Sequence, residues 1–116
     1  MTSATKEDIL DDQAIETFLA EHDDWTYEGG RLKASYNLQT FEQAIEVINK
    51  IAEVASAMDH HPFMTNVYNR LTFSLCTHSL GDVVTKLDVE LAKRISEIIK
   101  QEWSSTRSFQ EIRKSQ

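Results

Sequence analysis

An α+β domain is the fold that this sequence predicts: a four-stranded antiparallel sheet with three helices on one face, in the order α-β-β-α-β-β-α. Three observations carry the prediction. Stretches that alternate apolar and polar residues occur as two pairs, each broken by a short polar or glycine turn. Three further stretches repeat apolar residues at spacings of three and four, the period of a helix with one buried face. Two hairpins flanked by helices are most simply satisfied by one sheet with a covered face.

Taken in order, residues 1–10 are a polar lead-in with little to fix them. Asp11 or Asp12 caps a first helix in which Ile15, Phe18 and Leu19 share a face, running to about His22. Trp25 and Tyr27 then alternate with polar residues, Gly29-Gly30 makes a turn, and Leu32, Ala34 and Tyr36 alternate again, which reads as a hairpin. Thr40 and Gln43 form a capping-box pattern that opens the longest periodic segment, about Phe41 to Met58. It carries two adjacent apolar stripes. Phe41, Ala44, Ile45, Ile48, Ala52 and Ala55 form one, and Val47, Ile51, Val54 and Met58 form the other. One stripe somewhat over 100° wide suffices for a helix on a core, so this helix is expected to pack on the sheet and, through Val47 and Ile51, on a second copy of the chain.

From Met64 a second hairpin is predicted, with Val67, Leu71, Phe73 and Leu75 on either side of Asn69-Arg70 as the turn. Tyr68 and Phe73 read as core or strand residues. The SLGDVV segment is a loop or short extended link. Thr85 and Asp88 fit a second capping box, ahead of a helix with Leu91, Ala92, Ile95, Ile98, Ile99 and Trp103 inward. Residues 11–103 thus form the domain, and residues 104–116 a polar tail.

Composition sets the boundaries of function. A chain of 116 residues suits one domain that buries roughly two thirds of its unfolded surface. One cysteine, Cys76, permits no internal disulfide and no cysteine-based zinc site, and it reads as a small buried hydrophobe. No apolar run approaches the ~18 residues of a membrane span, and the polar start MTSATKEDILDD is unlike a signal peptide, so a cytoplasmic protein is expected. Nineteen acidic against twelve basic residues give a net charge of -7. Such a surface repels phosphate backbones, which argues against a nucleic-acid module.

The chemistry concentrates between Asp59 and Asp88, which hold three of the four histidines and the only proline. Pro62 lacks an N–H and disfavours helical geometry in His61, so His60 and His61 sit at a rigid corner after the long helix. His78 ends the second strand of the second hairpin. Folding that hairpin onto the sheet is expected to bring His78 back toward His60 and His61, so that three imidazoles line one pocket. Asp88 admits two readings, helix cap and site residue, and both can hold. His22 reads as structural.

His60-His61-Pro62, Asn66, Tyr68, Asn69, Thr77-His78 and Asp88, in this spacing, resemble the pterin-4a-carbinolamine dehydratase family, whose mammalian member is also a dimerisation cofactor of a homeodomain transcription factor. Trp25 and Gly30-Arg31 are similar to family positions too, and the element order agrees over about residues 11 to 100. The resemblance implies loss of water from 4a-hydroxytetrahydropterin to give the quinonoid dihydropterin, which recycles the cofactor of aromatic amino acid hydroxylases. It implies His60, His61 and His78 as catalytic residues, with His60 and His78 as the proton-transfer pair and His61 holding the pterin. Asp59, Pro62, Thr77 and Asp88 are implied as substrate-binding residues, with no metal and no cofactor, and a homodimer or homotetramer as the assembly. Two positions depart from the family pattern. Ser56 stands where an acidic or other ionisable residue is expected, with Glu53 a turn away, and Met64 stands where relatives carry an aromatic residue. A non-catalytic pterin- or protein-binding module of the same fold is the alternative, and a three-histidine metal hydrolase is a third reading of the same side chains.

Overall fold

The computed structural model of the protein describes residues 4–103, so the tail predicted at 104–116 lies outside the described residues. Three helices, α1 (Asp12–Glu21), α2 (Phe41–Met58) and α3 (Lys86–Trp103), combine with strands β1 (Thr26–Glu28), β2 (Arg31–Asn37), β3 (Phe63–Val67) and β4 (Arg70–Leu75) in the predicted order. The strands form one antiparallel sheet in the spatial order β1-β2-β4-β3. The two hairpins therefore meet through their second strands. Leu32 pairs with Leu75, Ala34 with Phe73 and Tyr36 with Leu71, and all six side chains point to one face and are buried.

Against that face pack Ile15 and Phe18 of α1, Ala44, Val47, Ile51 and Ala55 of α2, and Leu91, Ala92, Ile95 and Ile99 of α3. Each large aliphatic side chain removed from water in this layer contributes about 1.5–3 kcal/mol. The opposite face of the sheet carries Arg31, Lys33, Ser35, Arg70, Thr72 and Ser74, and Phe63 and Val67 of the edge strand β3 are 65% and 71% exposed. No helix among the described residues is long and apolar enough to cross a membrane.

Both long helices begin where their caps predict. Thr40 Oγ1 accepts the Gln43 N–H at 3.0 Å, and the Gln43 side chain reaches back to the Gln39 N–H at 3.2 Å, one residue before the expected partner. Asp11 caps α1 by accepting from the Ala14 N–H at 2.9 Å. His22 is structural, as its ring stacks on Phe18 and its Nδ1 meets the Phe18 carbonyl at 3.1 Å.

Three expectations are corrected and one, the loop after β4, is refined. In α2 Val47 and Ile51 are fully buried and share the covered face with Ala44 and Ala55 of the other stripe, while Phe41 and Ala52 face outward. Periodicity separates two stripes by angle but cannot say where across them the covered face will be centred. The second hairpin turns at Tyr68-Asn69, one residue early. Arg70 pairs with Val67 as the first residue of β4, and Tyr68 is an exposed turn residue at φ 54° instead of a core residue. The Asn66 side chain fixes that turn by donating to the carbonyls of Tyr68 (3.0 Å) and Arg70 (3.2 Å). The link after β4 contains a short 3-10 turn, His78–Leu80. The lead-in is anchored as well, since the Leu10 N–H donates to Val84 O at 3.1 Å and Ile9 bridges Thr85.

Candidate active site

The last turn of α2, the end of β4 and the first turn of α3 converge on Asp88. α2 stops at Asp59, which adopts the left-handed conformation (φ 52°, ψ 41°), and the His60 N–H bonds back to the Ala55 carbonyl at 3.0 Å. This six-to-one closure is a standard helix ending, usually built on glycine; aspartate is among the few other residues that tolerate it. With Pro62 two residues on, the backbone of His60 and His61 is held at both ends. The corner predicted from proline is therefore shaped equally by Asp59, which carried no such signal in sequence.

His60 directs its ring inward. Its Nε2 lies 2.6 Å from Asp88 Oδ1, with the imidazole 11% exposed and the aspartate fully buried. Asp88 Oδ2 accepts from Thr77 Oγ1 at 2.8 Å and from the Thr85 N–H at 2.9 Å, and the two threonine hydroxyls are 2.9 Å apart. The cap reading of Asp88 therefore holds. It closes the capping box of α3 with one oxygen and holds His60 with the other, at a helix N-terminus that favours a negative charge. A carboxylate is acceptor-only, so His60 Nε2 carries the hydrogen in this contact and Nδ1 is the nitrogen left to exchange a proton. Carboxylate-held imidazoles are fixed in tautomer and ring orientation.

The other two imidazoles stand differently. His61 is exposed on the extended segment before β3. His78 is 80% exposed, and its Nδ1 contacts Asp82 Oδ1 four residues on. It lines a cavity of about 780 Å³ over the outer face of the sheet together with Arg31, Phe63, Arg70, Asp23 and Asp24. Neither His60 nor His61 lines that cavity. The structure thus connects His60 to the His78 segment through Asp88 and Thr77, the residue before His78, without joining the three rings in a single described cavity. Asp59 and Pro62 frame the corner, with Asp59 exposed and Pro62 half-buried.

Two neighbours were not legible as site residues. Asp82 reaches His78 because Gly81 (φ 89°) and Asp82 (φ 59°) both take left-handed backbone; the His-x-x-x-Asp spacing was the available signal. Cys76 is buried, and Arg31 Nη1 lies 3.0 Å from its sulfur. Burial pushes the Cys76 thiol up from its ordinary pKa, with the Arg31 charge opposing that shift. Ser56 and Glu53, on the last turns of α2, are exposed.

Fold and site together define an α+β protein with a buried aspartate–histidine pair suited to proton transfer. Comparison with known proteins gives the family. Residues 8–98 match the family described as Pterin 4 alpha carbinolamine dehydratase. A protein of Sulfolobus acidocaldarius named as a candidate pterin-4-alpha-carbinolamine dehydratase is 42% identical over 89 residues, covering 77% of this chain and 97% of its own. One of Rhodospirillum rubrum, named alike, is 40% identical over 94 residues, covering 79% and 97%. Among solved structures, the transcriptional coactivator/pterin dehydratase from Brucella melitensis superposes with a TM-score of 0.74 at 29% identity, covering 78% of this chain and 97% of that one. A pterin dehydratase-like RuBisCO assembly factor of the alpha-carboxysome shares the fold, with a TM-score of 0.56 at 16% identity and coverage of 66% and 90%. The chain belongs to the pterin-4a-carbinolamine dehydratase family.

Proposed function

We propose that this protein dehydrates 4a-hydroxytetrahydropterins to quinonoid dihydropterins, in the cytoplasm, as the recycling step for the cofactor of an aromatic amino acid hydroxylase. The observation that carries the reading is the buried contact of His60 Nε2 with Asp88. The elimination breaks the C4a–O bond: the hydroxyl accepts a proton and leaves as water, while a ring N–H gives its proton to a base. Both halves are proton transfers, for which imidazole is suited near neutral pH, so the reaction requires neither a metal nor a covalent intermediate. His60, oriented by Asp88, and His78 form the transfer pair, and His61 holds the pterin. Asp88 and Thr77 act through His60, since both are buried behind it. Asp59 and Pro62 shape the substrate side of the corner.

The test is the dehydration of enzymatically generated 4a-hydroxytetrahydropterin followed by absorbance. Acceleration over the spontaneous rate that a chelator does not lower supports the proposal. A folded sample that gives no acceleration overturns it and leaves the non-catalytic binding module. We further propose a homodimer or homotetramer, because the edge strand β3 exposes Phe63 and Val67 beside Tyr68 and open sheet edges are ordinarily paired or protected. Light scattering that reports a monomer at tens of micromolar would remove that part.

A further inference from the structure

A second cluster of reactive side chains lies beside the His60–Asp88 pair and shares no residue with it. Cys76 follows directly on β4, and His78 opens the 3-10 turn. The left-handed pair Gly81-Asp82 then reverses the chain so that the Asp82 N–H returns to the Thr77 carbonyl at 3.1 Å. Left-handed backbone is uncommon at a non-glycine residue, and the return it produces sets the Asp82 carboxylate against His78 Nδ1 and 4.0 Å from Cys76 Sγ. One sulfur, one nitrogen and one oxygen lie within 4.8 Å of one another. With zinc bonds of about 2.0–2.3 Å, ligand atoms on a tetrahedral ion stand roughly 3.5 Å apart. A small opening of the His78–Asp82 contact admits an ion between them.

Contrary to the expectation from its being the single cysteine, we propose that Cys76 joins His78 and Asp82 in a three-ligand site for a borderline-soft divalent cation of the zinc type, with solvent at the fourth position. Thiolate and imidazole together select zinc-like ions over magnesium or calcium. Arg31 Nη1, 3.0 Å from the sulfur, donates a hydrogen bond to the ligand and offsets its charge in the outer shell. The exposed imidazole and carboxylate leave an entry path from solvent. A cation on His78 Nδ1 takes the place of the proton there. Resting on the dehydratase reading above, occupation of the site removes His78 from proton transfer, so zinc is an inhibitor and not a cofactor.

The test uses the full chain without a histidine tag, freed of metal and titrated with cobalt(II). The expected result is a sulfur-to-cobalt charge-transfer band in the near ultraviolet with strong tetrahedral visible bands, both removed by zinc. Cys76→Ser should abolish the charge-transfer band. Asp82→Asn, at an exposed position, should weaken zinc binding at least tenfold in competition with a chromophoric chelator. Absence of the band in the wild type, or its persistence in Cys76→Ser, overturns the site. No pterin enters this arm, so it stands apart from the dehydratase proposal. In the second arm zinc should slow pterin dehydration by the wild type and leave Cys76→Ser at its own zinc-free rate. Zinc bound by spectroscopy without slowing would overturn the coupling to His78.

Discussion

His60 and Asp88 cannot be altered independently, because each satisfies the other in a place where water does not compete. His60→Ala should lower kcat at least tenfold, the low end of what a positioned acid or base contributes. It should also lower the urea midpoint, since Asp88 loses one of its donors while buried; such an unmet group costs about 1–3 kcal/mol. His78→Ala is the contrast. Its ring is 80% exposed, so kcat should fall with the unfolding curve unmoved, and His61→Ala should raise KM more than it lowers kcat. Steady-state kinetics paired with urea denaturation on the three variants separates these outcomes. Ser56→Glu restores the family's carboxylate on an exposed position and should raise kcat if that carboxylate is needed, whereas an unchanged kcat would assign its role to Glu53. At this scale the sequence was most legible where chemistry fixes spacing. The capping motif placed Asp88 at the start of α3, whereas its contact with His60 emerges only in the structure. The direction of each ring was not legible, because burial of His60 depends on how α2 and α3 meet and exposure of His78 on a turn with two left-handed residues.

The elements themselves were predicted closely wherever a cap or a glycine pair marks a boundary, as at Thr40, Asp11 and Gly29-Gly30. The errors fell where two local solutions were nearly equivalent. Val47 and Ile51 are the clearest case, since both apolar stripes of α2 satisfy the helical period and only packing decides where across them the covered face is centred. Val47→Glu and Ile51→Glu should therefore unfold the domain instead of dissociating an assembly, because each places an unpaired charge at a position with no exposure. Loss of the cooperative melt in circular dichroism is the expected result; a folded variant of smaller mass would return Val47 to an interface. The Tyr68 turn gives the opposite sign. Its φ of 54° suits glycine, and the side chain is two-thirds exposed, so Tyr68→Gly relieves a left-handed strain of roughly 1–2 kcal/mol against the roughly 0.4–1 kcal/mol of unfolded-chain entropy that glycine adds, and should raise the same melt slightly.

Across the whole molecule, a polar network ties the first hairpin to the last helix. Trp25 Nε1 donates to Ser96 Oγ at 2.8 Å, Ser96 donates to Asp24 Oδ2 at 2.7 Å, and the Tyr36 hydroxyl donates to the same oxygen at 2.5 Å. Ser96 lies on the apolar stripe of α3 between Ala92 and Ile99, a polar residue in a row that otherwise excludes them. Ser96→Ala strands the buried indole N–H and should cost about 1–3 kcal/mol, read as a lower urea midpoint and altered Trp25 emission. A second tie is electrostatic. Lys50 Nζ lies 2.6 Å from Glu102 Oε2, and that hydrogen bond, with the glutamate charge, raises the lysine pKa above 10.5. The pair's contribution is complete at neutral pH, below the unfolded value, and is lost as pH rises through the higher folded value. Lys50→Met should melt slightly lower than wild type at pH 7, with the difference closing in strongly alkaline buffer; a difference independent of pH would assign it to the lysine stem. The strand order reaches further still. β2 finds its partner β4 only across the whole of α2 and β3, so on the ribosome each hairpin can close as it emerges while Leu32, Ala34 and Tyr36 stay uncovered. That row is apolar surface left open on the nascent chain until β4 pairs with it, and His60 gains its aspartate only after the first turn of α3 has left the exit tunnel.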